Sequence, residues 1–186
     1  MRFMMRASVK DQSGYEAALM GLGLNKKQGK DMSKVAERLA SKDFGHNKFL
    51  ESIYIWVLVL APRYWWQEAD TFRLSTKQSE STMHTLVTEL EKGIDWNKVL
   101  EDPSSITPTQ IELINRALVL EDPIEKLVRV KQCLPEGFLQ QRMWCMSYKT
   151  LRNIAIQRRH HRLPHWREFL LQTYAQLEYT ELLPEV

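Results

Sequence analysis

The segment that most constrains this chain is Ile53 to Pro62, IYIWVLVLAP, a run of ten residues without a charged side chain. It is too short to cross a bilayer as a helix, which takes roughly 20 apolar residues. From Ser52 to Leu60 it is β-branched, aromatic or leucine almost throughout, the composition of a strand covered on both faces. Such a strand folds only if the rest of the chain supplies layers to cover it. A chain of 186 residues can do so as a single domain, burying ~70% of the surface its unfolded form exposes.

The remaining segments read mostly as helices, with strands towards both ends. Arg2 to Val9 reads as a first strand and Gly21 to Gly29, rich in Gly, Asn and Lys, as a loop. Asp31 is placed to cap a helix from Met32 to Ala40, with Val35, Ala36 and Leu39 on one face. Pro62 suits the first turn of a helix running to about Thr71. Leu74 to Met83 has no period of either kind and reads as a hydroxyl-rich loop, a solvated segment or an anion site. Thr85 to Pro103 is acidic and irregular. Thr107 and Pro108 open a helix to Val119, and Pro123 opens another over Ile124 to Gln132. Phe138 to Ser147 reads as a strand, Tyr148 to Arg159 as a helix, and Pro164 opens a last helix over His165 to Glu178. The class implied is α+β.

Composition excludes several functions. Apolar residues at 44% and charged residues at 26% describe an ordinary globular chain rather than a disordered one. A net charge of +3 is too small to imply nucleic acid by itself. Cys133 and Cys145 make neither a disulfide framework nor a metal spacing, so the expected compartment is the reducing cytoplasm. The opening MRFMMRASVKD carries charge throughout and does not read as a signal peptide.

One region departs from this even balance. Between Gly137 and Arg167 there is no acidic residue, while Arg142, Lys149, Arg152, Arg158, Arg159, Arg162 and Arg167 are all basic. Like charges held together favour an anion, and the guanidinium fork fits phosphate oxygens in pairs. The same residues also read as a solvated helix face. A nucleic-acid surface, with Trp144, Tyr148 and Trp166 as stacking faces, is a third and weaker reading. His160, His161 and His165 lie among them, but Pro164 separates the last two and no carboxylate or thiol stands at ligand spacing, so no metal is expected. No nucleophile elbow, phosphate-binding loop or dinucleotide-binding glycine pattern is present. An enzyme built this way would rely on a bound cofactor for the difficult chemistry.

Two gapless blocks resemble the flavin-dependent thymidylate synthases. Gly45-His46-Asn47-Lys48-Phe49-Leu50-Glu51-Ser52 is similar to the family's G-H-x-S/T-x-x-E-H, with Ser52 in place of the last histidine. Ala61-Pro62 follows at the end of the strand. The family's R-H-R-x-x-S-x-N-x-x-S-x-R-Y then falls on Thr71 to His84, keeping Arg73 and Ser81, with Thr76 for Ser and Gln78 for Asn. Thr71, Phe72, Met83 and His84 depart from it. In the second block Lys131 to Pro135 resembles R-x-x-L-P, and Ser147 to Arg158 resembles N-A-R-x-L-x-N-x-x-x-L-R through Leu151, Asn153 and Arg158, with Lys149 for Arg and Ser147 for Asn.

The resemblance implies one flavin-dependent thymidylate synthase-like domain over the whole chain, with an antiparallel sheet and packed helices. It implies a cytoplasmic homotetramer whose sites form where subunits meet, binding FAD and dUMP and converting dUMP to dTMP with methylenetetrahydrofolate. By position, His46, Arg73, Gln78, Lys149 and Asn153 would touch flavin. Ser81, Lys131 and Arg158 would hold the nucleotide, and Arg158, facing the pyrimidine or its phosphate, is the candidate catalytic residue. Replacing a phosphate-binding arginine by Met83 removes a contact worth ~1.5–3 kcal/mol. A nucleotide-binding protein without turnover, on the same scaffold, is the alternative. The aromatic run Tyr64-Trp65-Trp66 with Trp56 reads either as a subunit interface or as core.

Overall fold

The computed structural model describes residues 4–24, 31–80 and 85–186. Its strands are β1 (Arg6–Ser13), β2 (Tyr54–Pro62), β3 (Ser75–Ser79) and β4 (Leu139–Ser147). Its helices are α1 (Tyr15–Gly23), α2 (Met32–Ala40), α3 (Arg63–Ala69), α4 (Leu86–Glu91), α5 (Trp96–Val99), α6 (Pro108–Leu118), α7 (Pro123–Cys133), α8 (Tyr148–Arg158) and α9 (Pro164–Tyr174). A short 3-10 turn, Lys48–Ser52, precedes β2.

The strands form one sheet in the order β1-β2-β4-β3. The Tyr148 amide donates to the Ile53 carbonyl (2.8 Å) and the Arg63 amide to the Phe138 carbonyl (3.0 Å), so β2 and β4 run antiparallel. The expected α+β class with an antiparallel sheet is what the chain adopts. The apolar run is the inner strand β2, but its two faces differ. Ile55, Val57, Val59 and Ala61 are fully buried, while Trp56, Leu58 and Leu60 are only half-covered. Pro62 closes β2, and α3 starts one residue later, at Arg63.

The chain divides into two compact units. One is made of Met5–Val59, Asp70–Gln78 and Met143–Val186. Its core holds Trp144 and Met146 of β4, Leu151 and Ile154 of α8, and Trp166 and Phe169 of α9, all fully buried. The Trp144 and Phe169 rings stack at 5.4 Å. β1 lies at the sheet edge, where free backbone groups invite pairing with another chain. Gln172 of α9 closes part of that edge, accepting from the Ala7 amide (2.7 Å) and donating to the Met5 carbonyl (3.1 Å). Gln176, just past α9, repeats the pattern with the Val9 amide (3.1 Å) and the Ala7 carbonyl (3.0 Å).

The other unit is made of Met1–Met4, Leu60–Ala69 and Ser79–Arg142. Leu86, Leu90, Leu100, Ile114, Val130, Leu134 and Phe138 form its apolar cluster. Trp65 and Trp66 are fully buried and meet edge to face at 4.9 Å, so this part of the aromatic run is core. The helix starts follow the sequence closely. Thr107 and Gln110 exchange side-chain and backbone bonds as a capping box ahead of Pro108. Asp122 accepts from the amides of Ile124 (2.8 Å) and Glu125 (2.7 Å). Removing that cap with Asp122→Ala should cost about 1 kcal/mol, and at most ~2. Urea denaturation reads it directly, and an unchanged midpoint would mean that α7 is held by its packing alone.

Four expectations are corrected. The first strand is Arg6–Ser13 rather than Arg2 to Val9, because an edge strand tolerates the exposed Lys10 and Asp11, and Gln12 accepts from the Tyr148 hydroxyl (3.0 Å). Gly21 to Gly23 belong to α1, whose two glycines masked its Ala-Ala-Leu core; Asn25 to Gly29 lie outside the described residues. Ser75–Ser79 is the opposite edge strand, not loop, since hydroxyl and threonine side chains suit a strand with a solvated face. The last helix ends at Tyr174, four residues before Glu178.

Candidate functional site

Helix α8 follows β4 without an intervening residue, which fixes the direction in which its first turn points. Ser147, the last residue of β4, caps it by accepting from the Thr150 amide (3.2 Å). Lys149 and Asn153 lie one turn apart on the same side of the helix. They line a cleft of about 340 Å³ together with Ser147 and Thr150. β4 contributes Cys145 and Met146 to its wall, and Tyr54 and Glu51 come from the start of β2 and the turn before it. Leu74, Ser75 and Thr76 complete the lining, and Leu74 is 85% exposed at the rim.

The walls are held by specific contacts. Thr150 Oγ1 donates to the Leu74 carbonyl (3.0 Å), tying α8 to the turn before β3. The Lys77 ammonium lies 4.8 Å from the buried Trp144 ring and donates to the Phe72 carbonyl (3.1 Å). It also reaches Ser75 Oγ (3.3 Å), so the Phe72–Ser75 turn is pinned from inside. The Lys149 ammonium donates to Asn47 Oδ1. Burial pushes the Cys145 thiol above its ordinary value, which keeps it protonated and poorly nucleophilic at neutral pH. Among the described lining residues Lys149 is the one cation and Glu51 the one carboxylate, so their charges balance.

A second cleft in the same unit, of about 580 Å³, lies between α1, α2 and the Lys48–Ser52 turn. His46, Lys48, Glu51 and Ser52 give it a polar side, while Ala17, Ala18, Leu22, Leu39 and Phe49 make it otherwise apolar. Glu51 lines both clefts. The backbone entering this region is unusual: Phe44 is left-handed at φ 56° and fully exposed, and His46 is exposed two residues later.

The expected site residues therefore separate. Lys149 and Asn153 meet in the first cleft, and His46 stands in the second. Arg73, on the turn before β3, and Gln78, on β3, are exposed and line neither. Arg158 is nine residues after Lys149 on α8, which at 3.6 residues per turn puts it on the opposite side of the helix. There its guanidinium lies 5.6 Å from the Phe72 ring and 5.2 Å from the Trp166 ring. Lys131 is half-buried on α7, in the other compact unit. Ser81 lies outside the described residues.

The basic cluster is not one anion site either. Arg152 points inward, donating to the Ser41 carbonyl (3.0 Å) and pairing with Asp43 (3.3 Å). Arg142 belongs to the other unit, 4.5 Å above the Trp66 ring. Arg159 donates to the Glu185 carbonyl (3.1 Å), leaving His160, Arg162 and Arg167 as exposed members. Trp144, Tyr148 and Trp166 are fully buried, which rules them out as stacking faces for a nucleic acid. Among the described residues no three His, Cys, Asp or Glu side chains are placed to hold a metal ion. No described helix is long and apolar enough to cross a membrane. Thr76, matched to a serine of the family signature, does line the first cleft, whereas Tyr54 and Asn47 escaped the sequence reading, because single uncharged residues inside ordinary strand and turn segments carry no pattern.

No protein-family model matches the chain, and no curated protein matches it. Solved structures do. A crystal structure of thymidylate synthase X (ThyX) from Helicobacter pylori with FAD and dUMP is similar at a TM-score of 0.74 and 16% identity, over 94% of each chain. A second structure of the flavin-dependent ThyX from H. pylori, complexed with FAD and dUMP, gives 0.73 and 15%, over 93% of this chain and 94% of that one. At this identity the likeness establishes architecture. The chain has the fold seen in these flavin-dependent thymidylate synthase structures, along nearly its whole length.

Proposed function

We propose that the chain is a flavin-dependent, pyrimidine nucleotide-modifying protein resembling thymidylate synthase, with FAD as cofactor and dUMP or a close relative as substrate. The observation that carries this reading is the cleft at the start of α8. Lys149 and Asn153, two of the residues matched to the family's flavin contacts, line it together, in a chain whose fold is that of proteins solved with FAD and dUMP. The cleft is near the lower end of the ~300–1,000 Å³ typical of small-molecule sites. It fits a ring system: Tyr54 and Leu74 offer apolar faces, and Thr76 and Asn153 offer hydrogen-bonding edges. Reduced flavin, when bound, supplies a hydride. This chain's own side chains would bind and orient it, Asn153 offering its amide and Lys149 its ammonium.

The domain, assembly and compartment follow the same reading: the whole chain is one such subunit, acting as a cytoplasmic homotetramer in which neighbours complete the site. Light scattering tests the assembly. The purified protein should be yellow or take up added FAD. Lys149→Ala and Asn153→Leu should each weaken that uptake by about tenfold or more, the worth of one charge-assisted or buried polar contact. A colourless protein whose spectrum and melting point ignore FAD would reject the proposal.

A second reading, nucleotide binding without turnover, is favoured by the charge balance of the cleft and by the position of Arg158 behind α8. It predicts nucleotide binding by calorimetry together with no dTMP formed from dUMP, methylenetetrahydrofolate and reduced flavin.

A further inference from the structure

Asn47 is fully buried, although it stands between two exposed residues, His46 and Lys48. Both ends of its side chain are engaged. Its Nδ2 donates to the Ala40 carbonyl at the end of α2 (3.1 Å), and its Oδ1 accepts from the Lys149 ammonium. The carbonyl can only accept, so the amide nitrogen must face it, and the oxygen is left for the lysine. An ammonium carries three N–H donors, of which Asn47 uses one.

The residue type at this position has an electrostatic consequence. A neutral amide holds the lysine in place without cancelling its charge. A carboxylate there would form an ion pair and neutralise it. The first cleft has Lys149 as its lining cation and Glu51 as its lining carboxylate, so an aspartate at position 47 would turn a balanced site negative. We infer that Asn47 is a positioning residue that sets the cleft's preference for anionic over neutral ligands, by presenting Lys149 in a charged and fixed state. This inference rests on the reading above that Lys149 meets the ligand.

Riboflavin and FMN test it, because they share a ring system and differ by one phosphate. The wild-type chain should bind FMN about tenfold more tightly than riboflavin, the effect of one charge-assisted bond. In Asn47→Asp the preference should fall to about one, with riboflavin affinity changed less than roughly threefold, because the ring contacts remain. Asn47→Ser removes both hydrogen bonds and adds no charge. It should leave an intermediate preference, and it carries the test if the aspartate variant does not fold. A preference that survives in both variants overturns the inference, as does a parallel loss of both affinities, which would mark Asn47 as merely structural. A wild-type chain that binds both flavins equally overturns the inference and spares the proposed function. One that binds neither overturns the inference, while the proposed function is decided separately by uptake of FAD.

Discussion

Replacing Gly14 with alanine is expected to cost about 3–5 kcal/mol of stability, the range reached when backbone strain and a steric clash act together. Gly14 joins β1 to α1 with φ at +92°, a conformation that costs an L-residue ~1–2 kcal/mol by itself. The larger part is contact. A Cβ on Gly14 would lie 2.1 Å from the Ser52 carbonyl oxygen and 3.2 Å from its carbon. Those are backbone atoms at the entry to β2, and no side-chain rotation relieves them. Separation to an ordinary carbon–oxygen distance of ~3.3 Å would require the ends of two strands to move apart. For a chain of this size the melting point should fall by roughly 10 °C or more. Gly21→Ala is the control, since it lies within α1 with ordinary helical backbone and a Cβ there meets nothing within 4 Å. That change should be neutral or stabilising by up to ~1 kcal/mol. Equal urea midpoints for the two variants would show that the β1–α1 junction yields more easily than its geometry implies.

The parts of the fold visible in the sequence are those where one local rule acts alone. Asp31 and Thr107 fix helix starts through a side chain reaching its own next turn, Pro108 and Pro123 suit the first turn, and no tertiary partner is needed to see them. β2 shows through composition, an apolar run almost throughout, and β4 through its Met143 to Met146 half, although Gln140, Gln141 and Arg142 precede it. The edge strands do not: β3 is STKQS and most of β1 is polar, since one face of each meets solvent and their pairing is decided by β4 and β2. The site follows the same division. Lys149 and Asn153 are one turn apart on one helix, so a spacing rule brings them together. Asn47 reaches Lys149 across 102 positions of sequence, and its role depends on burial, which no pattern reports. Arg152 and Arg158 look alike in sequence, yet one pairs with Asp43 and the other faces aromatic rings. Charge counting cannot distinguish those fates, because each is set by what the opposite element presents.

Trp166 is where core packing and the proposed chemistry meet. Its ring is fully buried, lies edge-on to Phe72 (5.7 Å) and Phe169 (6.2 Å), and offers a face to the Arg158 guanidinium. Trp166→Ala should lose about 3–5 kcal/mol, the range for emptying a buried aromatic site. It would also remove one of the two faces that orient Arg158. Trp166→Phe separates these effects, because it keeps a smaller ring on the same helix position and should lose less than half as much stability. A cation over an aromatic face is worth about 0.5–2 kcal/mol, depending on its exposure. If Arg158 holds the nucleotide phosphate, nucleotide affinity should therefore drop more in Trp166→Leu, which has no ring, than in Trp166→Phe at matched stability. Calorimetry with dUMP and deoxyuridine reads the difference: the phosphate-bearing ligand should lose affinity, and the nucleoside should not. An equal effect on both ligands would leave Trp166 with a packing role alone and place Arg158 outside the phosphate site. Arg158 stands behind the helix that carries Lys149 and Asn153, so a positive result would also require that the ligand's phosphate reach that side of α8.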